Sequence, residues 1–555
     1  MNLNIFLLSL FWFRFKGLTM VFEVKSTDLL GRVGKLKTKN GVLETPTLLP
    51  VVNPRKLEIK PKEIFEEFKY KAIMTNAYLF KKYFEKEVLK KGIHGFLNFP
   101  NVIMTDSGAY QLLRYGKVEV EPIEILDFQE KIGSDIGVIL DIPTGFQVSR
   151  NHAEWTVKET LERAKKAVEY FGKQGKSMLL TGPLQGGTYF DLLEFSAKKM
   201  SELPFDVYAL GSPTKIMEQY LFDILVKMML IVKKNLPPDK PLHLFGAGHP
   251  FMFSFAVALG FDLFDSASYA LYAKDGRYIT ETGTTKLENL EYFPCNCPVC
   301  KSLTPQDLKE KEKHEKEVLL MKHNLYVCKV EVERIKQSIV EGRLWELLEL
   351  RARSHPALFQ AFKVLSKYSK ILMKNTPVYK FRGMFIFDEI SLYRPEILTH
   401  KTKIVENYEK PEKAEILLLL PQPSSKPFHK SSQYKKVKKF LEEAGINMEK
   451  IHVCFYSIPF GIIPVELDEV YPLSQFEDAK PYNQKMVEEM VKNIVDYVKS
   501  KNYKKIFLHP DFSLMDKRKI KQLKREIGFK ETTKNRDPWS LDSLEDLSKI
   551  LRLEG

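Results

Sequence analysis

The sequence predicts an α/β protein: a (β/α)8 TIM barrel with an inserted structural zinc site, followed by a smaller α/β C-terminal domain. Three observations carry this reading. Between about residues 41 and 268, eight short apolar runs are separated by longer amphipathic stretches; three cysteines crowd into one loop just beyond; and from about residue 380 a second, shorter alternation begins. A chain of 555 residues is too long for one ordinary core, and 44% hydrophobic with 12% aromatic residues excludes a largely disordered one. The expected boundaries are an N-terminal extension at 1–19, the barrel at 20–375 with a zinc subdomain near 293–325, and the C-terminal domain at 376–555.

At the amino terminus, Ile5 to Phe13 (IFLLSLFWF) resembles the apolar core of a signal peptide, but Arg14 and Lys16 follow it instead of preceding it. No small-residue cleavage site appears, and so short a run cannot span a bilayer. The expectation is a non-native or disordered extension, with Met20 as the native initiator, because a regular pattern begins immediately after it.

The eight runs are TPTLLPVV, KAIMTNA, NVIMTDSG, DIGVILDIPT, KSMLLTGPLQGG, DVYALGS, PLHLFGAG and FDLFDS. Several are apolar on both sides of the pleat, as strands covered by helices require. In a barrel of this kind the active site lies at the carboxyl ends of the strands. The polar residues closing the runs are Asn76, Asp106, Ser107, Asp141, Gln185, Gly211, Ser212, His249 and Asp265, and these are expected to converge on one mouth.

Asp106 and Asp265 stand out among them. Two carboxylates around a glycosidic carbon divide the labour, one attacking to form a glycosyl intermediate while the other moves protons. An Asp after a strand equally well caps the next helix or ties a loop, and taken alone that is the commoner outcome. Gly108 lets substrate approach the backbone, Tyr110 offers a ring face to a planar base or packs in the core, and Gln185 before Gly186 and Gly187 places an amide near a ligand edge or marks a turn.

After the eighth run comes Phe293-Pro-Cys295-Asn-Cys297-Pro-Val-Cys300, with His323 on a helix of the form LLMKHNLYV. Three thiolates on one tight loop and an imidazole from a nearby helix complete a tetrahedral site with no open position, so the metal is expected to be structural Zn2+. Three buried thiols beside a surface histidine is the bland alternative, disfavoured because crowded thiolates repel unless a cation holds them. Cys328 and Cys454 are the only other thiols, which argues against a disulfide framework and for a reducing cytoplasm.

From about 328 to 375 the pattern is helical and charged. The C-terminal domain then alternates AEILLLLPQ, KIHVCFYSIPFGIIP and KKIFLHPD with amphipathic helices. A formal charge of +15 fits a polyanionic partner or a lysine-rich solubilising surface. Lys435, Lys436, Lys438 and Lys439 form one basic cluster, and Lys517 to Arg525 form a basic helix that is either a solvated face or a phosphate contact. There is no Walker loop and no convincing GxGxxG.

MTDSGAYQ, LDIPT, PLQGG, ALGS, HLFGAGHP, DLFDSASYALYAKDGRY and the CNCPVC…His site, in this order and spacing, resemble the archaeal-type tRNA-guanine transglycosylases (archaeosine tRNA-ribosyltransferase family) over roughly residues 21 to 375. The resemblance implies a pentosyltransferase that exchanges guanine 15 in the tRNA D arm for 7-cyano-7-deazaguanine (preQ0) in archaeosine biosynthesis. It also implies Asp265 as nucleophile and Asp106 as general acid/base, although older family assignments made the Asp of the DSG motif the nucleophile. Asp141 would bind the base's amino and ring N–H groups, Ser107, Gln185, Gly211 and Ser212 would read its other edge, and Tyr110 would stack on it. The family's use of the zinc region at a subunit contact implies a homodimer.

The segment PQPSSKPFHKSSQY resembles a motif of archaeosine synthase, the nitrile-converting paralogue, but Gln422 stands where that motif has cysteine, Phe428 where it has tyrosine, and Tyr434 where it has histidine; Lys426 and Pro427 remain. The alternatives are therefore a nitrile-modifying enzyme on the same scaffold, disfavoured by Gln422, and a non-catalytic tRNA-binding subunit, disfavoured by the intact Asp106 and Asp265. The RNA-binding PUA domain usual in the archaeal enzymes is not recognisable, so a separate PUA-type protein is one way to supply it.

Overall fold

The structure, a computed structural model, describes residues 21–109, 120–175 and 177–554. The expectations for 1–19, Met20 and Tyr110 fall outside these residues. The chain divides into two compact units, one comprising residues up to Val340 together with Leu347–Val364, the other Glu341–Glu346 together with Leu365 onward.

In the first unit, β1 (Phe22–Asp28), β2 (Gly31–Lys37) and β3 (Val42–Thr45) form an antiparallel sheet. Each of the eight predicted runs then contains one strand of a parallel barrel: β4 (Thr47–Pro50), β5 (Ala72–Asn76), β6 (Val102–Asp106), β7 (Ile136–Val138), β8 (Leu179–Leu184), β9 (Val207–Leu210), β10 (Leu242–Leu244) and β11 (Leu263–Ser266). Neighbours pair in chain order, β11 returns to β4, and the seam between β4 and β5 is bridged by Val51 and Met74. The strands are buried on both faces because helices cover the outside and side chains fill the inside.

Leu49, Met74, Val102, Met104, Ile136, Val207 and Leu263 share one interior core with Phe22, Leu36 and Leu43 of the antiparallel sheet. That sheet sits at the amino ends of the strands. Arg32 Nε donates to Asp262 Oδ1 (2.9 Å) just before β11, and the Asn40 amide donates to Asp135 Oδ1 (3.0 Å) just before β7. One end of the barrel is thus plugged by packing, by the buried Arg32–Asp262 ion pair and by the Asn40–Asp135 hydrogen bond, which leaves the carboxyl end for chemistry. Helices are started by side-chain caps where the sequence supplies them: Asn76 accepts from Leu79 N at Ala77–Leu97, and Ser149 accepts from His152 N at Arg150–Gln174.

After the barrel, β12 (Arg277–Ile279) and β13 (Thr284–Lys286) form a small hairpin, and the helices Pro298–Ser302 and Lys313–Glu341 follow.

In the second unit, β14 (Met384–Ile386) pairs with β18 (Phe476–Asp478). The main sheet has the order β17-β16-β15-β19-β20, built from β15 (Ile416–Pro421), β16 (Ile451–Ser457), β17 (Gly461–Pro464), β19 (Lys505–Leu508) and β20 (Lys530–Glu531), with only β17 antiparallel. Crossovers run in opposite directions from the central β15, so helices cover both faces. Gln484–Ser500 packs with Lys517–Ile527 in one layer, and Ser432–Glu443 packs with Leu541–Glu554 in the other. Buried Arg394 pairs with Glu346 (2.8 Å) and with Glu396 (3.4 Å), which also holds the buried Lys380 (2.5 Å); the short segment Glu341–Glu346 is thereby stitched into this unit. Among the described residues no helix is long and apolar enough to cross a membrane.

Candidate active site

Period-2 geometry sets the site. Met74, Met104 and Leu263 point into the barrel core, so Asn76, Asp106 and Asp265, each two residues further along its strand, occupy the same inward face at the carboxyl mouth. There they line a cavity of about 680 Å3 together with Asp141, Gln185, Gly211, Ser212 and His249. Six of the residues expected from sequence to act on substrate, Asp106, Asp141, Gln185, Gly211, Ser212 and Asp265, thus meet at one cavity. Ser107 is buried behind the wall, its hydroxyl donating to the Ile139 carbonyl (3.1 Å) and tying the end of β6 to the segment after β7.

Three carboxylates share this mouth, and the surroundings push two of them toward the neutral form. Asp106 is raised to about 7, first by desolvation and then by the charges of Asp141 and Asp265; the Gly108 amide and the Asn76 side chain, whose Nδ2 donates to Oδ2 at 3.0 Å, pull the other way. Asp141 is raised to about 6, again by desolvation, with the Gln185 amide opposing. A carboxyl that titrates near neutrality can both give and take a proton.

Gln185 is committed to the protein at both ends of its amide. Its Nε2 donates to Asp141 Oδ2 (2.5 Å), while Oε1 accepts from the Thr144 amide (2.8 Å) and the Ser212 hydroxyl (3.0 Å). It therefore orients Asp141 through Oδ2. The arrangement needs glycine at 211, because a Cβ there would lie 2.2 Å from Gln185 Nε2. His249 is held neutral, pushed down to about 4 by burial; Nε2 lies 2.7 Å from the Gly283 carbonyl and Nδ1 accepts from the Phe251 amide, so it fixes the loop wall.

Two groups at this mouth were not foreseen from sequence as parts of the machinery. His243 on β10 and the Gly246 amide both reach Asp265 Oδ1, at 2.9 and 3.0 Å. The histidine sits inside the apolar run PLHLF and opens the motif HLFGAGHP, but nothing in that motif beyond the residue's inward register points to Asp265.

Away from the cavity, Cys295, Cys297, Cys300 and His323 bring their four ligand atoms within 4.8 Å of one another. Cys297 Sγ and Cys300 Sγ stand 3.4 and 3.5 Å from His323 Nδ1. Metal–sulfur and metal–nitrogen bonds of about 2.3 and 2.0 Å at a tetrahedral angle separate S and N by roughly 3.5 Å, so the set fits a metal ion. His323 is turned by Nε2, 2.9 Å from the Ile279 carbonyl, and stacked by Tyr278 at 3.6 Å between ring centroids; the Tyr278 hydroxyl lies 3.3 Å from Cys300 Sγ. The histidine is fully buried, and no fifth candidate ligand joins the cluster among the described residues.

Comparison with known proteins places this geometry. Residues 27–357 match the family described as queuine tRNA-ribosyltransferase, and residues 397–551 match a domain of unknown function, DUF5591. The chain is 43% identical to the tRNA-guanine(15) transglycosylase of Methanocaldococcus jannaschii over 87% of its length and 72% of the relative's. It is 44% identical to that of Pyrobaculum aerophilum over 82% and 90% of the two chains. To that of Saccharolobus solfataricus it is 41% identical over 88% and 96%.

Proposed function

The chain belongs to the queuine tRNA-ribosyltransferase family, and from that premise we propose that it is a tRNA-guanine(15) transglycosylase, replacing guanine 15 of the tRNA D arm with preQ0 through a covalent ribosyl-enzyme intermediate. The observation that carries the reading is the placement of Asp265 and Asp106 at one cavity, with Asp106 titrating near 7 and Asp141 braced by Gln185. The base must first be extruded from the folded tRNA to reach such a cavity. Asp265 attacks C1′ of the ribose, the bond from C1′ to N9 of guanine breaks, and the departing base takes a proton from Asp106. The incoming deazaguanine returns a proton to Asp106 as its ring nitrogen attacks C1′, and the ester to Asp265 breaks to restore the carboxylate. Asp141, oriented by Gln185, receives the base's N–H groups, with the Gly211–Ser212 backbone and Tyr110 completing the pocket.

Cys295, Cys297, Cys300 and His323 hold structural zinc, which supplies folding free energy and takes no part in the exchange. The second unit serves to position tRNA. The enzyme works in the cytoplasm as a homodimer, and a separate PUA-type protein is a further candidate partner.

The test is exchange of labelled guanine into unmodified tRNA. Asp265→Asn keeps the shape and removes the attacking charge, so exchange and the denaturation-resistant tRNA adduct should both vanish while tRNA affinity stays within about twofold. An adduct that persists in Asp265→Asn and disappears in Asp106→Asn would reverse the two roles.

A further inference from the structure

Asp265 is held asymmetrically. Oδ1 has two partners, His243 Nε2 at 2.9 Å and the Gly246 amide at 3.0 Å, whereas no hydrogen bond from the described residues reaches Oδ2. His243 is fully buried on β10, and its ring packs edge-on against Phe245 with centroids 4.8 Å apart. Its Nδ1 is buried without a hydrogen-bond partner among the described residues.

These facts select the donating nitrogen. A carboxylate oxygen can only accept, so the proton must be on Nε2. Nδ1 has no acceptor among the described residues, so Nε2 is the ring nitrogen that donates.

We propose that His243 is a positioning residue for the exchange reaction: with the Gly246 amide it pins Oδ1 of Asp265, so that Oδ2 is the atom presented to the ribose. The inference rests on Asp265 being the nucleophile. In the first half-reaction the two donors fix the carboxylate's rotation, leaving the attacking lone pairs on Oδ2. In the second, the bond between Oδ2 and C1′ breaks, charge returns to the carboxylate, and the same two donors are already aimed at the oxygen that shares it. No proton moves to or from His243 in either step.

The experiment compares the full-length enzyme with His243→Phe, which keeps a ring but removes the donor, and His243→Gln, whose amide N–H can occupy the position of Nε2. Labelled-guanine exchange is measured with kcat and KM separated, alongside thermal melting. The expected result is a fall in kcat of order 10²-fold in His243→Phe with KM for tRNA within about twofold, recovery of at least tenfold in His243→Gln, and melting close to the parent for both. Parental kcat in His243→Phe would overturn the proposal. So would equal losses in Phe and Gln variants accompanied by depressed melting, which is the signature of a packing role. Asp265→Asn, assayed for the covalent adduct in parallel, separates the two layers: an adduct surviving there removes the nucleophile assignment itself, whereas an adduct lost there with parental kcat in His243→Phe removes only the role of His243.

Discussion

Asp106 sits where burial and function pull in opposite directions. Its carboxyl is raised from 3.8 to about 7, chiefly by desolvation, so the folded state prefers the neutral acid. For a group raised in the fold, the unfolded chain releases the proton first. The cost to stability is absent below about pH 3.8, grows as pH rises toward 7, and is full above that. Asp106→Asn, neutral at every pH, should therefore melt a few degrees higher than the parent at pH 7.5 and show a smaller difference near pH 4. The same values shape activity: Asp141 must be ionised above about 6 and Asp106 must still hold a proton near 7, so kcat/KM of the parent should fall on both sides of a narrow optimum. A difference in melting that is constant with pH would show that desolvation of Asp106 is not its cause. Both aspartates were legible in the sequence because each ends an apolar run. The role of His243 was not, although it opens the HLFGAGHP motif, since an inward histidine inside a strand has the same pattern as a core residue, and only its distance to Asp265 tells the two apart.

At the scale of elements, what the sequence conveyed well was local. A Cys-x-Cys-x-x-Cys loop brings three thiols together by its own short reach, and one helical histidine is enough to close the set; the structure places all four ligand atoms within 4.8 Å. Tyr278 was not legible, because its stacking on His323 depends on the β12–β13 hairpin, which no spacing announces. The strand ends likewise gave Gln185 and Gly211 as neighbours in space, yet only side-chain geometry shows that the amide braces Asp141 and that the glycine leaves it room. Cys297 opens the helix Pro298–Ser302 and is buried, so its loss removes both a ligand and a packed group. Cys297→Ala should lower bound metal well below one per chain and depress melting with it, since metal affinity here is folding free energy. Full metal content with unchanged melting would contradict a structural site, whichever metal is assayed.

At the scale of the whole molecule, the period-2 and helical patterns carried the barrel and the alternating second unit, because every one of the eight runs is short, apolar and bounded by turn residues. They could not show that Glu341–Glu346 belongs with the second unit, a long-range association secured by the buried Arg394–Glu346 pair. A truncation after about residue 378 would therefore cut through a folded unit, and substitutions are the cleaner probe of tRNA positioning. The two basic clusters lie in different helix layers of the sheet, so one track of phosphates on a single face meets only one of them. In the helix Ser432–Glu443, Lys438 and Lys439 stand within 3.7 Å of Glu442 and Glu443. In the helix Lys517–Ile527, the exposed Lys517, Arg518, Lys521 and Arg525 make no ion pair among the described residues, while Lys519 and Lys524 pair with Glu488 and Glu531. Unpaired charges release more counterions on meeting phosphate, because no internal partner has to be given up. Changing those four to Ser should weaken tRNA binding and reduce the slope of log affinity against log salt by up to about 3, with turnover at saturating tRNA retained. The matching change of Lys435, Lys436, Lys438 and Lys439 should alter the slope by less, about 2 at most, because only Lys435 and Lys436 of that set make no ion pair among the described residues. Equal slopes in the parent and both variants would remove the second unit from tRNA positioning, and a larger loss from the Ser432–Glu443 helix would place the phosphate track on the opposite face of the sheet.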